Sequence, residues 1–251
     1  MLFYIRAVLL TGYFLVACFM GLVVCLVRPF HRNNTRDCAR ILGWGRYLLG
    51  IRLEPVNNNP VQGGQAVYIS NHQNNQDVFV YTEMIPARVA ILGKSTLKYV
   101  PVFGLLFWLA GNIYINKKNR AQAWETMATV ADNVNRKQCS VYIFPEGTRS
   151  RGRGLLPFKS GAFALAIEAG LPIVPIIYSS SDKNIDLTCL HAGTAMVKFL
   201  DPIPTDGLGA DDAKALAERC HNMVADAIEE MDIELAVRRN QSDESKVWYH
   251  S

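Results

Sequence analysis

The stretch that decides the fold is Ala66-Val67-Tyr68-Ile69-Ser70-Asn71-His72-Gln73-Asn74-Asn75-Gln76-Asp77. Residues 66–70 form a short apolar run, which is typical of a buried strand. The polar residues that follow predict a loop that leaves the end of this strand. In open α/β folds, ligands bind at the carboxyl edge of the sheet. The sequence therefore predicts that His72 lies at a ligand-binding edge.

His72 and Asp77 are five positions apart, which corresponds to roughly 17 Å in an extended chain. They reach each other only if the chain turns sharply after His72 and Asp77 lies in the first turn of the next helix. The carboxylate then holds one ring nitrogen and leaves the other free to accept a proton. A polar loop that caps a helix fits the same spacing, so the pair by itself does not identify a site.

A second polar turn, Phe144-Pro145-Glu146-Gly147-Thr148-Arg149-Ser150, follows another apolar run. Two turns that each leave a strand end can converge on one cleft. Gly147 permits a close backbone approach, and the planar donor fork of Arg149 suits a phosphate. Taken alone, the turn also fits an ordinary strand-to-helix connection with a surface arginine.

Composition limits the alternatives. The chain has 251 residues, half of them hydrophobic, which is enough for one or two domains with a sizeable core. A net charge of +4 is modest, and we expect no nucleic-acid partner. The six cysteines include no C-x-x-C pair and the histidines are scattered, so the sequence predicts a reduced compartment without disulfides or a metal site.

The amino terminus reads as a membrane segment. Ala7–Val27 contains no charged residue and is long enough to cross a hydrocarbon core of about 30 Å. A cleaved signal peptide would have a shorter apolar region, so we expect a retained membrane helix. Arg6 alone precedes it, whereas a cluster of basic residues follows: Arg28, His31, Arg32, Arg36, Arg40 and Arg46. The positive-inside rule places everything downstream in the cytoplasm.

Cys38–Ile51 mixes apolar residues with arginines, which predicts an interfacial helix among the lipid headgroups. The sequence leaves open whether the first helix spans the bilayer or enters one leaflet as part of a helical hairpin. We therefore assign residues 1–56 to membrane-anchoring helices, 57–240 to an α/β domain and 241–251 to a flexible tail.

Short β-rich runs alternate with helical ones in the central part of the chain. The predicted strands are Ala66–Ser70, Val89–Leu92, Asn112–Asn116, Cys139–Phe144, Ile173–Tyr178 and Ala195–Leu200. The predicted helices are Asp77–Met84, Ala121–Asn135, Ser160–Ala169 and Ala210–Arg239. Alternation of this kind indicates an α/β fold with a largely parallel central sheet flanked by helices.

The two polar turns, N-H-x-x-x-x-D at 71–77 and F-P-E-G-T-R-S at 144–150, resemble the motifs of the glycerophospholipid acyltransferase family in order and separation. The resemblance covers roughly Ala66 to Leu200. It implies transfer of a fatty acyl group from acyl-CoA or acyl-carrier protein to the sn-2 hydroxyl of 1-acyl-sn-glycerol 3-phosphate, giving phosphatidic acid. No other cofactor is implied.

Further stretches resemble other blocks of the family. In residues 111–120, Gly111 and Arg120 fit an acceptor-binding role, although Asn116-Lys117 stands where the family often has Asp-Arg. Lys94 falls where the family places a phosphate-contacting lysine. The run 171–176 resembles the fourth block. The apolar run Val100–Ala110 fits membrane docking, an acyl channel or core packing.

On this reading His72 is the general base and Asp77 orients it. There is no G-x-S-x-G elbow in the sequence, which favours direct attack by the acceptor hydroxyl without an acyl-enzyme. The expected substrate-binding residues are Glu146, Gly147, Thr148, Arg149, Lys94, Arg120 and Gly111. The expected location is the inner membrane of a bacterium, with the site facing the cytoplasm. The alternatives are the same chemistry on glycerol 3-phosphate or another lysophospholipid, or a non-catalytic lipid-binding protein.

Overall fold

The computed structural model describes residues 1–115, 130–132, 134, 136 and 138–248, with side chains as far as residue 241. The helices are α1 (Leu2–Val27), α2 (Asn34–Gly43), α3 (Gly45–Leu49), α4 (Asp77–Val80), α5 (Phe103–Leu109), α6 (Gly161–Ala169), α7 (Ser181–Asn184) and α8 (Ala213–Trp248). The strands are β1 (Ile51–Pro55), β2 (Val67–Ile69), β3 (Val89–Lys94), β4 (Ile113–Ile115), β5 (Ser140–Ile143), β6 (Ile173–Tyr178) and β7 (Gly193–Phe199).

These strands form one sheet in the order β1-β7-β6-β2-β5-β3-β4. Neighbouring strands run parallel except for the antiparallel pair of β6 and β7. The expected α/β fold with a largely parallel sheet is therefore confirmed. Strand β2 lies in the middle, between β6 and β5, and all three of its residues are buried. The loop that contains His72 follows the carboxyl end of β2 and therefore lies near the middle of that edge of the sheet.

The six strands predicted from apolar runs all form, with ends that differ by at most two residues among the described positions. The sequence missed β1, which pairs with β7 at one edge of the sheet. Its five residues include Arg52 and Glu54, and such charges are tolerated because the edge strand is half exposed. Residues 51–55 thus belong to the central sheet, whereas the predicted α/β domain begins at residue 57.

The helical predictions hold for most of the chain. Asp77–Met84 forms as α4 followed by one 3₁₀ turn, Tyr81–Met84. The predicted interfacial helix is divided into α2 and α3, which meet at Trp44. Helix α8 continues to Trp248, so residues 241–248 of the expected tail are helical; its flexibility stays a prediction. Of the predicted helix Ala121–Asn135, only residues 130–132 and 134 lie among the described residues, and they are helical.

Two layers of helices cover the sheet. On one face α6 and α8 pack against the sheet together with Val130, Ala131 and Val134. On the other face lie α1 to α4. Helices α3 and α4 approach closely at Gly45, where a Cβ atom would overlap the ring of Phe79. This contact fixes α4, and with it Asp77, against the amino-terminal helices.

Helix α1 is the one described helix that is long and apolar enough to cross a membrane. It lies against the folded domain along its length, contacting α2, α3 and α5. Near its start, the buried guanidinium of Arg6 donates to the carbonyls of Leu187, Cys189 and Leu190 at 2.6–2.7 Å. Just after its end, Arg28 pairs with Asp37 on α2. Both ends of the helix are therefore attached to the same side of the domain.

Candidate active site

The structure brings His72 and Asp77 together at the carboxyl end of β2. The chain turns through residues 71–76 and α4 begins at Asp77, which leaves Nδ1 of His72 2.7 Å from Oδ2 of Asp77. This is the geometry that the spacing required: a sharp turn, with the acid in the first turn of the next helix. A carboxylate accepts, so Nδ1 carries the proton and Nε2 presents a lone pair.

The Asp77 carboxylate also holds the loop closed. The same Oδ2 atom accepts the backbone N–H of Gln73 at 2.6 Å and that of Asn74 at 3.0 Å. Asp77 is almost fully buried, with 3% of its surface exposed. Burial of a charge is tolerated because three donors converge on one oxygen. The imidazole and the loop that carries it are thus positioned by one atom.

The ring of His72 stacks on the ring of Phe144, with centroids 4.2 Å apart and planes inclined by 21°. Phe144 is the first residue of the second polar turn. The stacking fixes the plane of the imidazole while its side chain remains 19% exposed. Nε2 makes no hydrogen bond with the described residues. A ring held on one nitrogen and open on the other is suited to accepting a proton from a bound hydroxyl.

Glu146 ties the second turn to the first. Its Oε1 accepts the backbone N–H of His72 at 2.6 Å, and its Oε2 accepts the backbone N–H of Leu156 at 3.0 Å. Burial raises the pKa of this carboxyl to about 7, although both backbone donors act to lower it. The sequence predicted a contact with a substrate hydroxyl or a neighbouring base. In the structure, both oxygens are engaged by backbone amides and the residue is 2% exposed.

The remainder of the second turn runs directly beside the His72 loop. The backbone N–H of Ser150 donates to the carbonyl of His72 at 2.8 Å, and that of Arg151 donates to the carbonyl of Gln73 at 2.9 Å. Gly147 has a φ of +72°, and a Cβ atom there would lie 3.0 Å from Nζ of Lys159. The turn therefore needs glycine, and it presents its polar groups next to the imidazole.

Arg149 is partly buried on this turn, and its Nε atom is buried without a hydrogen-bond partner among the described residues. An unpaired buried donor on a guanidinium is costly. Thr148 is exposed on the same turn. The predicted convergence of the two polar turns is present, and Arg149 is its charged component.

Two other predicted substrate-binding residues, Lys94 and Gly111, lie further from His72. Lys94 is exposed at the carboxyl end of β3, two strands from β2 and roughly 10 Å away across the sheet. Gly111 precedes β4, three strands from β2, with a φ of +91°. Arg120 lies outside the described residues. Their binding roles stay predictions.

Within the described ranges, no group of three or more His, Cys, Asp or Glu side chains could hold a metal ion. Sequence reasoning gave no role to the residues that flank His72. Asn71, Gln73 and Asn74 each hydrogen-bond to residues 178–181 after β6. Their amides are of the kind that pair with backbone groups, but nothing in the sequence identifies partners about one hundred residues away.

A His–Asp pair beside an arginine-bearing turn, at the carboxyl edge of an α/β sheet, has the chemical groups that a proton transfer next to an anion requires. The chain belongs to the acyltransferase family, whose model, described as "Acyltransferase", matches residues 52–179. The matched segment includes both polar turns and five of the seven strands of the sheet, β2 to β6.

Relatives of known name extend the likeness over nearly the whole chain. The 1-acyl-sn-glycerol-3-phosphate acyltransferase of Escherichia coli (strain K12) is 37% identical over 239 residues, which cover 95% of this chain and 98% of that protein. The protein of the same name from Haemophilus influenzae is 38% identical over 223 residues, covering 88% and 93%.

The fold also matches a solved structure. The crystal structure of the 1-acyl-sn-glycerophosphate (LPA) acyltransferase, PlsC, from Thermotoga maritima superposes with a TM-score of 0.68 at 20% identity, covering 91% of this chain and 97% of that chain. At this identity the likeness concerns the fold alone.

Proposed function

We propose that this protein transfers a fatty acyl group from an acyl thioester to the sn-2 hydroxyl of 1-acyl-sn-glycerol 3-phosphate, giving phosphatidic acid. The observation that carries the proposal is the 2.7 Å contact between His72 Nδ1 and Asp77 Oδ2, with Nε2 open beside the Arg149 turn. The names of the bacterial relatives support the choice of acceptor.

In the proposed reaction, the hydroxyl of the acceptor donates a hydrogen bond to Nε2 of His72. As the oxygen attacks the thioester carbonyl, its proton passes to Nε2, and the imidazolium that forms is stabilised by Asp77. The tetrahedral intermediate then collapses, the carbon–sulfur bond breaks, and the departing thiolate takes the proton back from His72. General-base assistance of this kind contributes typically about 10²–10⁴-fold.

The acceptor phosphate is proposed to lie on the Arg149 side of His72. The position of the turn supports this placement, because Ser150, the residue after Arg149, donates its backbone N–H to the carbonyl of His72 at 2.8 Å, and a guanidinium suits a phosphate. Gly147 and Thr148 would line the same turn. Lys94 and Arg120 are proposed as further cations for the acceptor, with Gly111 at its margin. For Glu146, we propose that the carboxylate holds the turn against His72 instead of touching substrate.

The amino-terminal helices are proposed to lie in one leaflet. Two contacts support this placement: Arg6 at one end of α1 binds the loop at residues 187–190, and Arg28 after the other end binds Asp37 on α2. The outward face of α1 is apolar, and exposed aromatic or aliphatic side chains continue that surface: Phe30, Trp44, Tyr47, Tyr99, Val102, Leu105 and Trp108. Such a surface suits the lipid interface.

The thioester donor is proposed to be acyl-CoA or acyl-carrier protein, and the location the cytoplasmic face of a bacterial inner membrane. Basic residues in and beside α2, including Arg32, Arg36 and Arg40, support the cytoplasmic side, where anionic lipids attract them.

The proposal is tested with purified protein in mixed micelles, using labelled acyl-CoA and acyl-carrier protein against a panel of acceptors. The panel contains 1-acyl-sn-glycerol 3-phosphate, glycerol 3-phosphate and lysophospholipids with other headgroups. We expect acyl transfer to the first acceptor only, and the product of that transfer is phosphatidic acid. The variant His72→Ala should lose turnover while still binding 1-acyl-sn-glycerol 3-phosphate, and the exposed His191→Ala serves as its control. Binding without turnover in the wild type would instead indicate a lipid-binding protein.

A further inference from the structure

The loop that carries His72 also contacts residues 178–181, at the end of β6 and just after it. Strand β6 lies on one side of β2, and β5, which leads to Glu146, lies on the other. The side chain of Asn71 pairs with both backbone groups of Tyr178, donating to its carbonyl at 2.8 Å and accepting its N–H at 3.0 Å. Gln73 donates to the carbonyl of Ser179 at 2.9 Å and accepts the N–H of Ser181 at 2.7 Å. Asn74 donates to Oγ of Ser181 at 2.6 Å. The position of the loop therefore depends on residues 178–181.

Residues 180–184 are in turn held by Asp232, which projects from the carboxyl-terminal helix α8. Its Oδ1 accepts the backbone N–H of Ser180 at 2.8 Å and Nδ2 of Asn184 at 2.9 Å. Its Oδ2 lies 3.1 Å from Nζ of Lys183. The Asp232 side chain is 6% exposed, whereas that of Lys183 is 63% exposed. The buried carboxylate thus serves chiefly as an acceptor for Ser180 and Asn184.

We propose that Asp232 is a positioning residue for catalysis: from α8 it fixes Ser180 and Ser181, and through them Gln73 and Asn74, so that the His72 imidazole stays aligned. The inference rests on the proposed function, since it concerns the same imidazole. It gives the carboxyl-terminal helix, which lies outside the segment matched by the family model, a role in the site.

A small cavity of about 30 Å³ lies between the His72 loop, the second polar turn and α8, lined by Gln73, Glu146, Ser180 and Ile228 among others. Beside this cavity, hydrogen bonds join Gln73 and Asn74 to Ser179 and Ser181. Misplacement of a reacting group by about 1 Å can cost about 100-fold in rate.

The test compares Asp232→Ala, Asp232→Asn and Asp226→Ala. Asparagine keeps an oxygen for Ser180 and Asn184, and Asp226 is an exposed acid on the same helix that serves as the matched control. We expect Asp232→Ala to lower kcat about 10-fold or more while the acceptor KM changes less than about twofold, because Asp232 does not touch the Arg149 turn. Asp232→Asn should stay within about threefold of the wild type. A wild-type kcat in Asp232→Ala, or an equal loss in Asp226→Ala, overturns the proposal.

A second measurement does not depend on the substrate. Hydrogen exchange followed by mass spectrometry should show faster exchange in residues 71–77 and 178–184 of Asp232→Ala, with β1 unchanged. Unaltered exchange in residues 71–77 overturns the coupling, even if turnover falls. If the wild type transfers no acyl group to any acceptor, the proposed function fails while the exchange result still decides whether Asp232 holds the loop.

If Asp232→Ala folds poorly, the proposal is tested with Ser181→Ala, alone and combined with Asp232→Asn. Ser181→Ala removes only the acceptor for Asn74, and it should lower kcat in the same way. The double variant Ser181→Ala/Asp232→Asn should lose as much kcat as Ser181→Ala alone, because asparagine at position 232 keeps an oxygen for Ser180 and Asn184. A kcat for Ser181→Ala equal to the wild-type value would overturn the proposed route through Ser181.

Discussion

The Nδ1 atom of His72 lies 2.7 Å from Oδ2 of Asp77, and that oxygen also accepts the backbone N–H groups of Gln73 and Asn74. One oxygen atom thus orients the imidazole and shapes its loop. Because Oδ2 makes all of these contacts, an amide that places its oxygen there can preserve the geometry while removing the negative charge.

We therefore expect Asp77→Asn to fold and to bind the acceptor, but to lose about 10²–10⁴-fold in kcat. The physical reason is that an imidazolium formed during attack has no counter-charge. Steady-state kinetics with 1-acyl-sn-glycerol 3-phosphate measure the loss, and Asp226→Asn is the control. Turnover by Asp77→Asn at the wild-type rate would contradict the mechanism.

Arg149→Lys and Arg149→Ala should raise the acceptor KM. Lysine retains a positive charge but not the donor fork, so it should recover part of the loss. A charge-assisted hydrogen bond is worth about 1.5–3 kcal/mol, which corresponds to roughly 10–150-fold in kcat/KM. The exposed Arg219→Ala on α8 is a matched control. An unchanged KM and kcat in Arg149→Ala would show that the phosphate lies elsewhere.

Stability should depend on pH through Glu146. Burial raises the pKa of this carboxyl from its ordinary value of 4.5 to about 7. The folded state therefore holds a proton that the unfolded state has released, and stability falls as pH rises from about 4.5 to about 7. The difference amounts to at most about 3 kcal/mol.

The pH effect is measured as the shift in Tm between pH 5 and pH 8 for the wild type and Glu146→Gln in detergent. The wild type should lose more stability than the variant over this interval, because glutamine does not titrate. Glu146→Gln should also be less stable at pH 5, since one of its two backbone donors, His72 or Leu156, then faces an amide N–H. Parallel pH curves for the two proteins would argue against the raised pKa.

Arg6→Met should detach the start of α1 from the loop that contains Leu187 to Leu190. Methionine keeps the apolar stem but leaves three carbonyls without their donor. We expect a loss of about 2–4 kcal/mol in stability and faster limited proteolysis within residues 186–192, with vesicle binding retained. The exposed Arg32→Met should show neither effect. Equal proteolysis of Arg6→Met and the wild type would mean that the contact does not hold the helix.

Sequence reasoning reached the central sheet and the site because both are encoded locally. The apolar runs that form β2, β5 and β6 are buried on both faces, so they stand out from their surroundings. The turn between His72 and Asp77 could be predicted because the two side chains cannot reach each other in an extended chain. The edge strand β1 was missed because its charges, Arg52 and Glu54, hide the period of a strand.

Contacts between segments that are distant in the chain could not be predicted from the sequence. Glu146 binds the backbone of His72 from 74 positions away, and Asp232 binds Ser180 from 52 positions away. In the sequence, Asp232 resembles a surface acid and Glu146 resembles a substrate contact. Their burial arises only when the loops between strands are folded onto one another, because a backbone N–H partner carries no signature in the side-chain pattern.

The bond between Arg6 and the loop at Leu187–Leu190 joins positions that are 181 to 184 residues apart. During translation α1 is therefore complete long before its partner exists. At about 5–20 residues per second, the ribosome needs roughly ten to forty seconds to supply that loop. We expect an apolar helix left alone for this time to meet lipid before its partner loop exists. Its docking onto the folded domain would then be a late step.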